Sequence, residues 1–381
     1  MKILVNAVPL ANLRTGIARY VEGLYRALSR VPGVSVAFYD GSRLLDHLPG
    51  GPADVARWSL LTKIFWALPT PLALAVRMVL QHRRERKFLR LCAGFDIYHE
   101  TSFFPFKTPR GIKTVLTVHD LGLLRHPYWH PAERVQYFRK YFVERLGWAH
   151  GFLAVSRFTR DEMCGLLNIP REQVQVSLLG VDAERFAMPK PEEVEAARAK
   201  YGLPKEYFLC VGSGDPRKNI DLVLAALRQP GMEWPLARVG WEGWDKAGEP
   251  ESGEIRLGYV QDEDLPALYA GALAFVYPSL YEGFGLPILE AMACGCPVVT
   301  TRLASLPEVA ADAALYLEDP ENAEELALLL RRVAESPALR GELRAKGLAR
   351  AQEFSWDQTA EATLRLFQRV LAEGPAPAAG K

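Results

Sequence analysis

Cysteine is scarce. The chain has five, at positions 92, 164, 210, 294 and 296, too few and too scattered for a disulfide framework. The odd count leaves one unpaired, which suits a reducing cytoplasm. Cys294 and Cys296 form a C-x-C with no second cluster, so small residues packed at a helix end are a plainer reading than a metal site. Neither sign of charge is in excess: 46 Lys and Arg face 45 Asp and Glu, a formal net charge of +1. Nucleic acid is therefore not expected as a partner. No apolar run is long and clean enough to span a bilayer, because the best candidate, Leu60 to Leu80, is interrupted by Lys63, Pro69, Pro71 and Arg77. The opening Met1-Lys2-Ile3-Leu4-Val5 enters a strand pattern at once and lacks a signal peptide's cleavage-site architecture. No internal repeat is evident.

What is present is the composition of a soluble globular protein, 49% hydrophobic and 24% charged. The 381 residues exceed the usual span of one hydrophobic core, which predicts two domains. In the first half, strands are expected at 2–8, 34–39, 95–99, 114–118, 152–155 and 174–178, with helices over 17–30, 132–148 and 157–167. In the second half they are expected at 207–211, 236–239, 255–260, 274–277, 297–300 and 315–317, with helices near 220–228, 265–271, 286–294 and 323–335. Continuous Val/Ile/Leu strands alternating with helices indicate parallel sheets covered on both faces. Residues 186–204, with Pro189, Pro191, Pro204 and the run Glu192-Glu193-Val194-Glu195, read as an interdomain linker carrying one exposed helix. The tail 374–381 is too poor in large apolar groups to pack and reads as disordered.

Three segments carry chemistry. The first is Tyr281-Glu282-Gly283-Phe284-Gly285-Leu286-Pro287-Ile288-Leu289-Glu290. Its glycines let backbone N–H groups approach a ligand, and Pro287 suits the first turn of a helix whose positive end favours an anionic or hydroxyl-rich ligand. Glu282 lies in the loop and Glu290 eight positions further on, so the two carboxylates can reach one molecule from different sides. A helix start with one N-terminal acid and one solvated glutamate accounts for the same residues. The second is Val211-Gly212-Ser213-Gly214-Asp215-Pro216-Arg217-Lys218-Asn219, directly after a strand. Adjacent cations at a strand-to-helix junction can neutralise a departing diphosphate, while a solvated turn is the bland alternative. Arg217 stands where G-x-G-x-x-G needs its third glycine, and no G-K-S/T follows, which counts against a dinucleotide fingerprint and a P-loop. The third is Thr117-Val118-His119-Asp120 at a strand end, where His119 could position a hydroxyl or be a structural histidine. Asp262-x-Asp264 precedes a helical run and is expected to cap it rather than to bind metal.

Together these segments resemble the retaining GT-B glycosyltransferases grouped as family 4, over nearly the whole chain. The most specific match is the E-x7-E stretch from Glu282 to Glu290, extended through Ala-Met-Ala-Cys-Gly-Cys-Pro-Val-Val299. Thr15-Gly16-Ile17-Ala18-Arg19-Tyr20, Val155-Ser156-Arg157-Phe158-Thr159-Arg160, Gly180-Val181-Asp182, Asp215-Pro-Arg-Lys-Asn219 and Ser305-Leu306-Pro307-Glu308 support it. The resemblance implies an α/β GT-B fold of two Rossmann-like, doubly wound domains facing a central cleft. Residues 1–185 would form the acceptor-side domain, 205–354 the nucleotide-sugar domain, and 355–373 a helix crossing back to the first.

It also implies a metal-independent hexosyl transfer with retention and no cofactor, the nucleotide-sugar being a substrate. Glu282 would contact the donor sugar, Glu290 the ribose, Lys218 the diphosphate with Gly16 beside it, and His119 the transferring sugar. Gly283, Phe284, Gly285 and Leu286 would border the donor, and Tyr259 and Val260 its base. Ser213 stands where many members carry Arg, so Arg217 would supply that charge. The P-R-K-N form resembles mannosyltransferases of polysaccharide assembly, which points to GDP-mannose, with UDP-sugars open. The acceptor would be a saccharide or lipid-linked. Two rivals are a non-catalytic nucleotide-sugar-binding subunit, against which intact Lys218, Glu282 and Glu290 argue, and an oxidoreductase, against which the broken glycine pattern argues. Residues 58–87 place Trp58, Phe65 and Trp66 before His82-Arg-Arg-Glu-Arg-Lys87, a pattern that fits either core helices or contact with an anionic membrane at its inner face.

Overall fold

The computed structural model describes residues 1–11, 16–50, 69–240 and 250–373. Trp58, Phe65, Trp66 and the 374–381 tail lie outside the described residues. The chain divides into two compact units: Met1–Gly180 together with the segment from Trp356 onward, and Val181–Ser355.

The first unit is a sheet of seven strands among the described residues, in the order β3-β2-β1-β4-β5-β6-β7. These are β1 (Lys2–Asn6), β2 (Ser35–Tyr39), β3 (Leu44–Leu45), β4 (Ile97–Glu100), β5 (Lys113–Val118), β6 (Gly151–Ala154) and β7 (Val174–Val176). All pairings are parallel except that of β2 with the edge strand β3. Burial on both faces explains the apolar runs: Ile3, Leu4 and Val5 are fully buried, as are Val115 and Leu116. Helix α1 (Gly16–Leu28) buries Tyr20, Val21, Leu24, Tyr25 and Leu28, one stripe at helical spacing. Between β3 and β4 runs α2 (Thr70–Leu91), and after β5 come α3 (Gly122–Arg125) and α4 (Ala132–Tyr141). The single helix expected over 132–148 instead breaks at Phe142 (φ −113°, ψ −65°) and continues as a 3-10 segment, Val143–Trp148. Helix α5 (Arg157–Leu167) starts where Ser156 Oγ accepts from Thr159 N at 3.0 Å and stops at Asn168, in the left-handed region.

The second unit is an all-parallel sheet in the order β10-β9-β8-β11-β12-β13. Helix α6 (Pro191–Lys200) leads into β8 (Phe208–Val211), α7 (Ile220–Leu227), β9 (Leu236–Val239), β10 (Glu254–Gly258), α8 (Leu265–Gly271) and β11 (Ala274–Tyr277). Then follow α9 (Leu286–Ala293), β12 (Val298–Thr301), α10 (Leu306–Ala310), β13 (Ala314–Leu317), α11 (Ala323–Glu335) and α12 (Pro337–Ala351). The core joins Phe208, Val223, Leu236, Val276, Leu326, Leu330 and Val333. The last helix, α13 (Trp356–Ala372), packs on α1 and β6 of the first unit. A Cβ on Gly23 of α1 would lie 2.1 Å from the Trp356 indole, so only glycine admits that contact.

The boundary differs from the sequence expectation. Residues 181–185, assigned to the first domain, and 186–204, read as a linker, belong to the second unit. The reason is local packing: Val181 N donates to Phe354 O, Phe186 is buried against Tyr269, and α6 lies along α8 with Ala197 buried.

Candidate active site

Open α/β sheets bind ligands beyond the carboxyl ends of their strands, where the strand order reverses. In the second unit that point lies between β8 and β11. After β8, Asp215 caps a single 3-10 turn, Pro216–Lys218, by accepting from Arg217 N at 3.1 Å. Asn219, in the left-handed region at φ 55°, closes the turn, and its amide donates to Pro320 O at 2.8 Å before α7 begins. Across the switch point, the loop after β11 carries Glu282. Leu280 N donates to Arg217 O at 2.8 Å and ties the two loops together.

The result is a buried cluster. Lys218 Nζ donates to Glu282 Oε1 at 2.6 Å and to the Tyr277 hydroxyl at 2.5 Å, and that hydroxyl donates to Glu282 Oε1 at 2.9 Å. Arg217 donates to Glu282 Oε2 at 3.0 Å, to Tyr281 O at 3.3 Å and, through Nε, to Asp215 Oδ2 at 3.1 Å. Two cations thus face two carboxylates. Burial pushes the Glu282 carboxyl up, but Arg217 and Lys218 outweigh it and bring it down to about 2. Burial lowers Lys218 in spite of Glu282 and drives the Tyr277 phenol well up. The Lys218 side chain is 11% exposed and that of Arg217 23%, against 8% for Glu282, so the cations are the more accessible members.

The loop behind Glu282 is held from beneath. Ser305 Oγ lies 2.9 Å from both the Glu282 and the Phe284 carbonyl oxygens and donates between them. Gly283, Phe284 and Leu286 are buried, and Gly285, at φ 102°, turns the chain into α9 with Pro287 in its first turn. Glu290 is 1% exposed and accepts from the Tyr269 hydroxyl at 3.4 Å. It has its own partner on α8 and is not the solvated residue of the bland reading. Ser213 is half-buried just past β8, where a Cβ on Gly240 would fall 1.9 Å from Gly212 O. Tyr259, 46% exposed, and buried Val260 follow β10 directly. Asp264 occupies the cap position of α8, but in αR geometry (φ −86°, ψ −21°) its carboxylate does not cap the helix. Instead it accepts from Lys200 Nζ at 2.6 Å and Tyr201 OH at 2.7 Å, while Asp262 pairs with Arg185, which corrects the capping expectation. Among the described residues no group of acidic, His and Cys side chains could hold a metal ion.

In the first unit the order reverses between β1 and β4. Asn6 ends β1, Glu100 ends β4, and His119 follows β5. Asn6 Nδ2 donates to both Glu100 oxygens, at 3.0 and 2.8 Å. His119 Nε2 lies 2.8 Å from Thr101 O, with the Tyr20 ring edge-on at 5.0 Å. Burial lowers the His119 pKa. Gly16 opens α1 and is exposed.

Residues 14–185 match the family described as Glycosyltransferase Family 4, and residues 193–350 match Glycosyl transferases group 1. The O-antigen chain mannosyltransferase B of Escherichia coli is 34% identical over 97% of this chain and all of its own length. The chain belongs to glycosyltransferase family 4. Sucrose-phosphate synthase of Thermosynechococcus elongatus shares its fold, with a TM-score of 0.70 at 20% identity, covering 97% of this chain and 99% of that one. Anabaena HepE, solved with UDP and glucose, gives 0.65 at 16% identity, covering 96% and 99%. This glycosyltransferase therefore has the two-sheet GT-B architecture.

In this family 4 chain, the family resemblance assigned Lys218, Arg217 and Glu282 to one donor site, while the residue pattern missed Tyr277 and Ser305 as the supports of that cluster, and Asn6 and Glu100 at the switch point of the first sheet. A signal existed for three of them. Asn6, Glu100 and Tyr277 are polar groups at the carboxyl ends of buried parallel strands.

Proposed function

We propose that this glycosyltransferase moves mannose from GDP-mannose, with retention and without a metal, onto a saccharide or lipid-linked acceptor in polysaccharide assembly. The observation that carries the reading is the Lys218–Arg217–Glu282–Tyr277 cluster at the switch point of the second sheet. Both cations are partly engaged with Glu282. A donor diphosphate arriving there takes a share of their donors, which leaves the Glu282 carboxylate able to accept from a sugar hydroxyl. As the glycosidic bond breaks, charge grows on the leaving diphosphate and the preorganised pair meets it without a divalent ion. Glu290 accepts from the ribose, Tyr259 and Val260 border the base, and His119 positions a substrate hydroxyl for transfer. No enzymic nucleophile is assigned, so the acceptor attacks on the face from which the diphosphate departs. The mannose assignment is supported by the 34% identical O-antigen mannosyltransferase.

The enzyme is further proposed to work in the cytoplasm, peripherally at the inner face of the membrane. On α2, Leu72, Val79 and Leu80 are about half exposed, and Arg83, Arg86 and Lys87 are exposed further along the same helix. That is an apolar and cationic surface suited to anionic lipid. Among the described residues no helix is long and apolar enough to cross a membrane. A thermal-shift screen of nucleotides and nucleotide-sugars tests the donor, since bound ligand stabilises according to its concentration over Kd. GDP and GDP-mannose should shift the transition. A shift with UDP-sugars alone would overturn the mannose reading.

A further inference from the structure

Glu100 is fully buried at the end of β4, and among the described residues every bond it makes comes from an uncharged donor. Besides the Asn6 amide, the Tyr98 hydroxyl donates at 2.5 Å, Ser102 N at 2.9 Å and Ser102 Oγ at 2.6 Å. The orientation of the Asn6 amide is set, because its Oδ1 accepts from Val8 N at 3.2 Å and its NH2 must therefore face Glu100. A buried acid is costly to desolvate, and well-packed apolar side chains often serve stability equally well. What these bonds accomplish is specific: they fasten the backbone at 101–102 to the switch point of the first sheet.

Thr101 is fastened from its other side too, since its hydroxyl donates to Asn6 O at 2.5 Å. Its carbonyl is thereby aimed at β5, where His119 Nε2 lies 2.8 Å away. A carbonyl oxygen can only accept, so Nε2 carries the proton. Burial keeps the imidazole neutral, which leaves Nδ1 as a hydrogen-bond acceptor. The rings of Tyr20 and Phe103, edge-on at 5.0 and 6.0 Å, hold the imidazole plane.

We infer that Glu100 is a positioning residue for sugar transfer: through Ser102 and the Thr101 carbonyl it fixes His119 in the Nε2–H tautomer, so that Nδ1 accepts from a substrate hydroxyl. This rests on the proposed role of His119 in transfer. Carboxyl chemistry is required at position 100 because glutamine offers one acceptor oxygen and turns an NH2 toward donors that are already committed. The loop must then shift, and with it the carbonyl that orients the ring.

The test is Glu100→Gln, read in two ways. Long-range proton–nitrogen NMR of the substrate-free enzyme should show His119 as the Nε2–H tautomer in the wild type and a tautomer mixture in the variant. With GDP-mannose and a mannose-terminated oligosaccharide, kcat should fall roughly 10²-fold, the scale for misplacing a group by about an ångström. The KM for donor should stay within about threefold, since uniform donor binding is untouched. Adding His119→Ala to the Glu100→Gln background should cost little more, because both changes remove the same interaction. Should Glu100→Gln fail to fold by circular dichroism, Ser102→Ala removes one bond and carries the same test, with smaller changes in the same direction. A folded variant with the wild-type tautomer, unchanged kcat, or losses that add to those of His119→Ala would overturn the inference. The tautomer is read without substrate, so failure of the mannose assignment would leave that readout standing.

Discussion

Lys218→Met removes one charge from the cluster while keeping most of the side-chain volume. Lys218 makes two short donor contacts, 2.6 Å to Glu282 and 2.5 Å to Tyr277, and its Nζ lies 4.6 Å from the centroid of the Tyr277 ring. Its loss does not orphan Glu282, which keeps Arg217 at 3.0 Å and the Tyr277 hydroxyl at 2.9 Å. The stability cost should therefore sit near 1–3 kcal/mol, roughly that of a charge-assisted hydrogen bond, and below the roughly 3–5 kcal/mol of stranding a buried charge. The kinetic cost should be larger in effect. Removing one preorganised donor to a developing anion costs roughly 10²–10³ in kcat, about 2.7–4 kcal/mol. Affinity for the free nucleoside diphosphate should fall by about tenfold or more, the worth of one charge-assisted bond. The assay is steady-state release of nucleoside diphosphate, alongside isothermal titration with that diphosphate and circular dichroism of the variant. A folded Lys218→Met enzyme with kcat within about threefold of wild type would refute the leaving-group role.

Glu290→Gln should mainly weaken binding of the free nucleoside diphosphate, whereas Glu282→Gln should mainly impair transfer; if only the Glu282 change lowers free-nucleotide affinity, the two roles are reversed. Acid should destabilise the first unit through its buried histidines: burial brings His99 to about 3 and lowers His119, so in the folded chain both rings take up protons at lower pH than in the unfolded chain, which takes them up below about 6.5. Stability present above pH 6.5 should be lost as pH falls from there toward 3, and His99→Gln should flatten that dependence in urea titrations; an unchanged slope would count against it. Vesicles containing anionic lipid should co-sediment the enzyme at low salt and release it at high salt, and Arg83, Arg86 and Lys87 changed together to Ser should abolish binding. Arg84 is left unchanged because it is half-buried beside Gly41.

Much of this fold was legible because it rests on local pattern. Parallel strands buried on both faces spell themselves as apolar runs, and α8, β11 and α11 begin and end where periodicity places them. Lys218 and Glu282 were legible singly, each at a strand-to-helix junction. Their partnership was not, because it depends on which strands adjoin: 64 residues separate them, and β8 and β11 meet only through the crossover. The same holds for Asn6 and Glu100, 94 residues apart. Arg217 was read as a charge for the diphosphate, and the structure shows it bound to Glu282 and Asp215 as well. The linker reading of 186–204 failed because proline and charge mark a surface segment equally well when it packs by one face, as α6 does through Ala197.

The most direct measurement is the anomeric configuration of the product formed from GDP-mannose and a mannose-terminated oligosaccharide in excess chelator, read by the one-bond carbon–hydrogen coupling at the new linkage. An α-linked mannose, formed at a rate the chelator leaves unchanged, is the predicted result. A β-linked product, or activity lost in chelator and restored by Mg²⁺ or Mn²⁺, would contradict leaving-group stabilisation by Lys218 and Arg217 with retention.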